Sequence, residues 1–513
     1  MKRISAFLFA CIISCQVSAI PAFPGAEGFG SETPGGRGGA VVKVTNLYDS
    51  GPGSLREACA LGYPRIIIFT IGGVIKLHSA IEITAPFITI AGETAPGGIT
   101  LDGTGSEDGC LFTTYTNDLL QPVHDIVIRF IRARGTADSD NGDVLRLYNV
   151  NNAIVDHCSF GWGHDETADL SKSTNLTMQW CIFNESVATR EHNLGIFHCY
   201  GNAANFTLHH CLLTHHKYRN PVLNSDNVDI RNNVIYDWRD NATHFDNINT
   251  AESAIPYPHH LSVVGNYYKQ GPEWQPVPGE PIEIIDQYLF SIRDNLYEYK
   301  DGDRTSKQTD LTNIGTWGTF DPAFPPVTTS SPESAFYHVI SSAGNLPHDV
   351  LDNKNISETV KGTGAWCKNI DVSLLINVNT DATRGNDTDN GGIPDDWATQ
   401  NGIPSGNPSG DADSDGYTNI EEYLHYCAGV LTGMRYTGSI PVFMKPKFVK
   451  IASNSFVNQM PVNLDLPVES EEENGRCGPG ALLALLPPVW FKYHGNGKSR
   501  KPVTGGNDRK CGK

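Results

Sequence analysis

Apolar and polar positions alternate in short runs that return along the middle of the chain. NAIVDHCSF from Asn152, NLTMQWCIF from Asn175, NFTLHHCLL from Asn205 and NVDIRNNVI from Asn227 align without gaps. DIVIRFIRA from Asp125 and HLSVVGNYY from His260 fit the same frame, and the starts lie 27, 23, 30, 22 and 33 residues apart. Each unit reads as a short strand, a second short run and a polar connection. Such a strand cannot bury a face alone, whereas stacked copies can. Cys158, Cys181 and Cys211 share one position of the frame, which Asn233 and Asn266 take in the next two units. Like residues on successive turns predict a parallel β-helix. A sandwich of hairpins would need tight turns such as Asn-Gly between adjacent runs, and few occur. The stacked cysteines read as core filler; rungs about 4.8 Å apart would also permit a disulfide between neighbours.

Ahead of the repeats, Ser54-Leu55-Arg56-Glu57 forms a capping box, which predicts a short helix over the open edge of the first coil. IIIFTIGGVIKL and FITIAGETAPGGITLDG then read as the first strands. A chain of 513 residues exceeds one ordinary core, so it holds several folding units or one elongated repeat. Frequent Gly (51) and Pro (31) favour turns over long helices.

The amino terminus reads as a secretory signal. Lys2 and Arg3 precede the apolar ISAFLFACIISC, too short to span a bilayer, and Val17-Ser18-Ala19 suits cleavage. Lipid attachment at Cys15 is the minority alternative. No later segment is long and apolar enough to cross a membrane. Removal of Lys2 and Arg3 takes the net charge from -19 to -21 (-19 - 2), which argues against nucleic acid or an anionic membrane as partner. Ten cysteines remain of twelve, an even number that permits disulfides. Sequons at Asn175, Asn184, Asn205, Asn241, Asn355 and Asn386 allow glycosylation in a eukaryotic host.

Several motifs occur in order: FPGAEGFG, GGRGG, DSGPGSLREA, ITIAGETAPGG, NGDVLRL, IVDHCSFGWGHDETADL and YRNPV. Together they resemble the pectate lyases of polysaccharide lyase family 1, from Phe23 to roughly Gln270. The resemblance implies a right-handed parallel β-helix and calcium-dependent β-elimination of polygalacturonate, the pectate of plant cell walls. Elimination beside a uronate needs the carboxylate neutralised, a base for the adjacent proton, and stabilisation of developing charge. Oxygen ligands suit a hard cation. By resemblance, Asp143, Asp165 and Asp169 take calcium-ligand positions, with Glu166 beside them, and Arg219 is the base. Asp156-His157 reads as structural. Lys217, Arg190 and His192 are candidate substrate cations. Pro221 favours an extended Asn220, and Lys217 shares a side with Arg219 if the strand continues. Two departures stand out: Asn224 replaces a second arginine, and no lysine matches the family's substrate lysine.

Beyond about Leu374 the chain turns rich in Asp and Gly. Asp411-x-Asp413-x-Asp415-Gly416-x5-Glu422 matches an EF-hand loop, with the Tyr417 carbonyl at position seven and Asn419 at nine. Asp387, Asp389 and Asp396 suggest a partial partner loop. The expected order is a signal peptide at 1–19, a β-helix lyase domain at 20–374, an EF-hand-like calcium-binding helix-loop-helix region at 375–436, and a poorly ordered tail at 437–513. A monomer is expected. The competing functions are a non-catalytic pectin-binding β-helix and a polygalacturonase. The latter would need paired carboxylates around a water, and its motifs are not found in the repeats.

Overall fold

In a computed structural model the repeat units become the coils of a parallel β-helix. The structure describes residues 20–113, 122–138, 142–188, 193–245, 258–273, 281–284, 288–301, 304–308, 323–375 and 384–433. The expected signal peptide and the tail lie outside them. Three sheets of ten, ten and eight strands run the length of the stack. Successive strands of each sheet come from successive coils and pair in parallel, as Asn151↔Thr174 and Thr174↔Ala204 do. The last strand of the second sheet, Arg304–Gln308, is the exception and pairs antiparallel with Leu296–Asp301. Among the described residues no helix is long and apolar enough to cross a membrane.

The residue that opens the repeat frame has a backbone reason to be there. Asp125, Asn152, Asn175, Asn205 and Asn227 all sit at φ between 53° and 65°, a left-handed conformation that Asn and Asp tolerate better than most residues. Their side chains join coil to coil: Asn175 donates to Asn151 (2.8 Å), Asn205 to Asn175 (2.8 Å) and Asn227 to Asn205 (2.8 Å). A second left-handed residue ends each first-sheet strand at Phe130, His157, Trp180 and His210. Their rings stack outside the turn, with centroids 5.0, 5.9 and 4.4 Å apart. The next residue points inward. The Cys181 amide donates to Cys211 Sγ (3.4 Å), Cys211 to Asn233 Oδ1 (2.9 Å), Asn233 to Asn266 (2.9 Å) and Asn266 to Asn295 (2.9 Å).

All eight described cysteines are free thiols, so the filler alternative holds at the stacked positions. The amides of Asn175 and Asn205 are spent in the outer ladder. Asn184 and Asn355 are fully buried. The side-chain nitrogen is thus buried or hydrogen-bonded at four of the six sequons, while Asn386 is exposed.

The expected first helix is α1, Leu55–Cys59. Ser54 caps it, and Leu55, Ala58 and Cys59 enter the main core. Two further helices were not legible in the repeats. In α2 (Pro332–Ser342), Val339 and Ile340 pack on the second sheet against Ile182, Leu212 and Val234. The start of α3 (Val350–Lys361) is pinned where Arg134 meets Asp349 (2.9 Å) and Asp352 (2.8 Å).

Helices α4 (Asp395–Gln400) and α5 (Asn419–Thr432) seat Ile393, Trp397, Ile420, Tyr423 and Leu424 on Ile66, Ile68 and Ala91 of the first coils. Arg37 of GGRGG pairs with Glu421 (2.9 Å) and lies 5.0 Å from the Tyr417 ring; Lys43 pairs with Asp387 (2.5 Å). A buried aromatic cut to a methyl costs about 3–5 kcal/mol. Trp397→Ala should therefore lower the thermal midpoint by several degrees and expose Ile66 and Ile68 to a hydrophobic dye. An unchanged midpoint would show that this seam carries no stability.

Candidate active site

Four carboxylates meet on the third sheet. Asp143 precedes the strand Leu145–Arg146, and Asp165 leads into the adjacent strand Glu166–Asp169. The two rungs lock at their entrances: the Glu166 amide donates to Asp143 Oδ1 (2.9 Å) and the Asp165 amide to Gly142 O (3.2 Å). Carboxylate oxygens of Asp143, Asp165 and Glu166 thereby come within 4.8 Å of one another. Asp169 stands at the far end of its strand, opposite Arg146. Its Oδ1 accepts from the Ser171 amide (2.9 Å), and its Oδ2 lies 3.6 Å from Arg146 Nε.

Burial, with Asp165 adding to it against the pull of Arg146, pushes the Asp143 carboxyl up to about 7. Burial and then Asp143 push Asp169 up to about 6. Arg146 pairs with both Asp143 and Asp169, and Arg219 pairs with Glu166. Among the described residues the four carboxylates thus meet the guanidinium groups of Arg146 and Arg219. Close carboxylate oxygens that raise one another's pKa form an all-oxygen donor set that fits a hard divalent cation. Arg146 is the residue the sequence reading missed; its place three residues after Asp143 in NGDVLRL was the available signal.

Arg219 reaches the cluster from two rungs further on. The strand before it ends at Thr214 and the next begins at Val222. The strand therefore does not continue through HHKYRNPVL. Arg219 instead has φ 64° and precedes a cis Asn220–Pro221 bond. Its carbonyl accepts from the Ile196 amide (2.7 Å), and a Cβ on Gly195 would fall 2.2 Å from that oxygen, so only glycine admits the approach. The guanidinium carbon lies 4.7 Å from the Phe197 ring centroid. Burial lowers its pKa against the opposing pull of Asp165 and Asp143. Lys217 holds its ammonium 3.7 Å from Asp240. Asn224 is buried, its amide donating to His198 O (3.1 Å). Arg190 and His192 lie outside the described residues.

The two histidines ahead of Lys217 hold this turn. His216 spans from Asn220 Oδ1 (2.9 Å) to Thr167 Oγ1 (3.0 Å), tying the arginine turn to the acid-bearing strand; burial drops its pKa to about 4, so the ring is neutral. Asp156 and His157 form a buried network with Arg129 and Gln179, as a structural role requires.

In the second acidic loop, oxygens of Asp411, Asp413 and Asp415 also come within 4.8 Å. Asp411 accepts from the Ser414 (2.7 Å) and Gly416 (3.0 Å) amides, and Asn419 from Ala412 (3.1 Å). Burial, then Asp415 and Asp413, push Glu422 up to about 7.

No family model matches the chain. Curated relatives do. "Probable pectate lyase C" of Aspergillus terreus is 32% identical over 439 residues, covering 82% of this chain and 98% of that protein. The protein of the same name from Aspergillus fumigatus is 32% identical over 428 residues, covering 80% and 95%. The chain belongs to the pectate lyase family. It is therefore a polysaccharide lyase built on a parallel β-helix. "Pectate lyase 1" of Cryptomeria japonica is 29% identical over 181 residues, 31% of this chain and 45% of that protein. Among solved structures, the thermostable pectate lyase PL 47 is 14% identical over 63% of this chain and 98% of that one, at a TM-score of 0.46. A likeness of that size adds nothing to the fold already read from strand pairing.

His215 supplies a pH test of the turn. Burial opposes its charge, yet Asp237 at 2.7 Å and Glu358 at 3.2 Å outweigh it and push its pKa up to about 9. An unfolded histidine titrates near about 6.5. The stabilisation is therefore complete below about 6.5 and is lost as pH rises toward 9. Calorimetry across that window should show a falling midpoint in the native chain and a flatter profile in His215→Gln. Parallel profiles would contradict the ion pair.

Proposed function

We propose that the chain is a secreted pectate lyase. It cleaves (1→4)-linked α-D-galacturonan by calcium-assisted β-elimination and releases 4,5-unsaturated oligogalacturonides. The observation that carries this reading is a largely buried cluster of carboxylates facing the half-buried Arg219. The relatives named pectate lyase support the substrate.

Asp143, Asp165, Glu166 and Asp169 would hold calcium through carboxylate oxygens. Held there, the cation would supply positive charge to neutralise the uronate carboxylate, which makes the adjacent C–H more acidic. Arg219 takes that proton, and the electron pair left behind forms the C4–C5 double bond as the bond from C4 to the leaving oxygen breaks. Burial favours the neutral guanidine that a base requires, against its ordinary reluctance to lose a proton. Phe197 beneath the guanidinium fixes its plane. Lys217, Arg190 and His192 bind neighbouring uronates. The loop of Asp411, Asp413, Asp415, Tyr417, Asn419 and Glu422 takes a second calcium, which orders the loop ahead of α5. The protein acts outside the cell, after loss of residues 1–19, as a monomer.

Arg219→Lys keeps a charge and loses the planar fork. It should cut turnover on polygalacturonate at least a hundredfold with the thermal midpoint nearly unchanged. Near-normal release of unsaturated uronides by Arg219→Ala would overturn the assignment.

The two calcium roles should separate. Asp169→Asn should abolish turnover with little change in melting. Asp415→Ala should lower the calcium-dependent midpoint and leave turnover at low temperature intact. Identical behaviour of the two variants in both measurements would contradict the division.

A further inference from the structure

Residues 364–375 return from α3 along the loops that lead from the second sheet into the third. Trp366 donates to Asp237 O (3.4 Å) and lies 5.0 Å from the Arg239 guanidinium carbon. Cys367 bridges Val187, with the Ala188 amide on its carbonyl (2.6 Å). Cys367 and Ile370 pack with Trp162, Val187 and Leu351. This arm and the coil loops line an open cavity of about 340 Å³. Its lining includes Thr136, Asp138, His164, Val187, Lys368 and Ile370.

The cavity adjoins the acid cluster. His164 is the neighbour of Asp165, and its amide donates to Gly142 O (3.0 Å), beside Asp143. It is also offset from the point of cleavage. Asp138 belongs to the rung of Leu145, two rungs before Phe197 beneath Arg219, or about 10 Å at the usual spacing. Its size falls at the low end of ligand sites, about 300–1,000 Å³, and holds roughly one or two sugar residues. The chemistry is mixed. Lys368 offers an exposed ammonium, Asp138 a carboxylate that accepts from hydroxyls, and Val187 and Ile370 an apolar wall for sugar C–H groups. A simple anion would be repelled by Asp138; a sugar that carries both hydroxyls and a carboxylate satisfies both groups.

We propose that this cavity is a secondary subsite for a galacturonate residue remote from the cleaved bond, and that Lys368 reads its carboxylate. The proposal rests on the reading of the chain as a galacturonan lyase. A contact made equally in ground and transition states changes KM and leaves kcat alone.

The test is steady-state kinetics of the full chain in calcium, on galacturonan of graded methyl esterification. On fully de-esterified polymer, Lys368→Ala should raise KM about five- to tenfold with kcat within about twofold, and Lys368→Arg should restore most of it. The KM penalty should shrink as esterification removes carboxylates, and as salt rises. An unchanged KM, or the same penalty at every degree of esterification, would overturn the proposal. Native-gel retardation by polygalacturonate reads binding without turnover; Lys368→Glu should be retarded less than the wild type, and equal retardation would contradict the subsite. A wild type that releases no unsaturated product would instead defeat the lyase reading, which the gel measurement does not depend on.

Discussion

Coil-to-coil register is the constraint on which everything else in this molecule depends. A parallel strand slipped by one residue would turn its core face outward. In the five central strands of the first sheet the register is held at both ends by a left-handed residue: Asn or Asp at the start, and a ring or Asn at the turn. Cys158, Cys181, Cys211, Asn233, Asn266 and Asn295 then continue one line through the interior. Each amide in that line contributes about 0.5–1.5 kcal/mol net, and an unpaired one would cost more.

Register is also what makes the site. Asp143 and Asp165 stand on adjacent rungs of one sheet, and Arg219 reaches them from two rungs further on. The short sequence from Glu166 to Asp169 places Glu166 toward Arg219 and Asp169 toward Arg146. Both arginines act as stand-in counter-charge for a cluster that burial alone would protonate. A divalent cation would complete the balance. The same logic governs the carboxyl-terminal loop, where burial and then its own aspartates raise Glu422. There the consequence is mechanical, because the helix that follows packs on the first coils.

The coil repeat was legible because left-handed positions demand Asn or Asp and because inward positions repeat. The acids were legible as well, since they fall in two adjacent units. Arg146 was hidden by its resemblance to an ordinary exposed strand residue. The course of HHKYRNPVL was hidden too: Pro221 suggested a strand entry, whereas the backbone turns at Arg219 and Gly195 makes room for it. Helices α2 and α3 carry no repeat signal. They are explained by tertiary partners, Ile182 and Leu212 for one and Arg134 for the other, which a sequence does not display. The seam between α5 and Ile66 and Ile68 is of the same kind.

The central claim is that the carboxylates of Asp143, Asp165, Glu166 and Asp169 hold calcium to do chemistry opposite Arg219. Incubation of the full chain with polygalacturonate, followed by ultraviolet absorbance of the unsaturated uronide, tests it directly. With calcium present the absorbance should rise steadily, with excess chelator it should stay flat, and readdition of calcium should restore the rise. An equal rate in chelator, or reducing ends released without ultraviolet absorbance, would contradict the account.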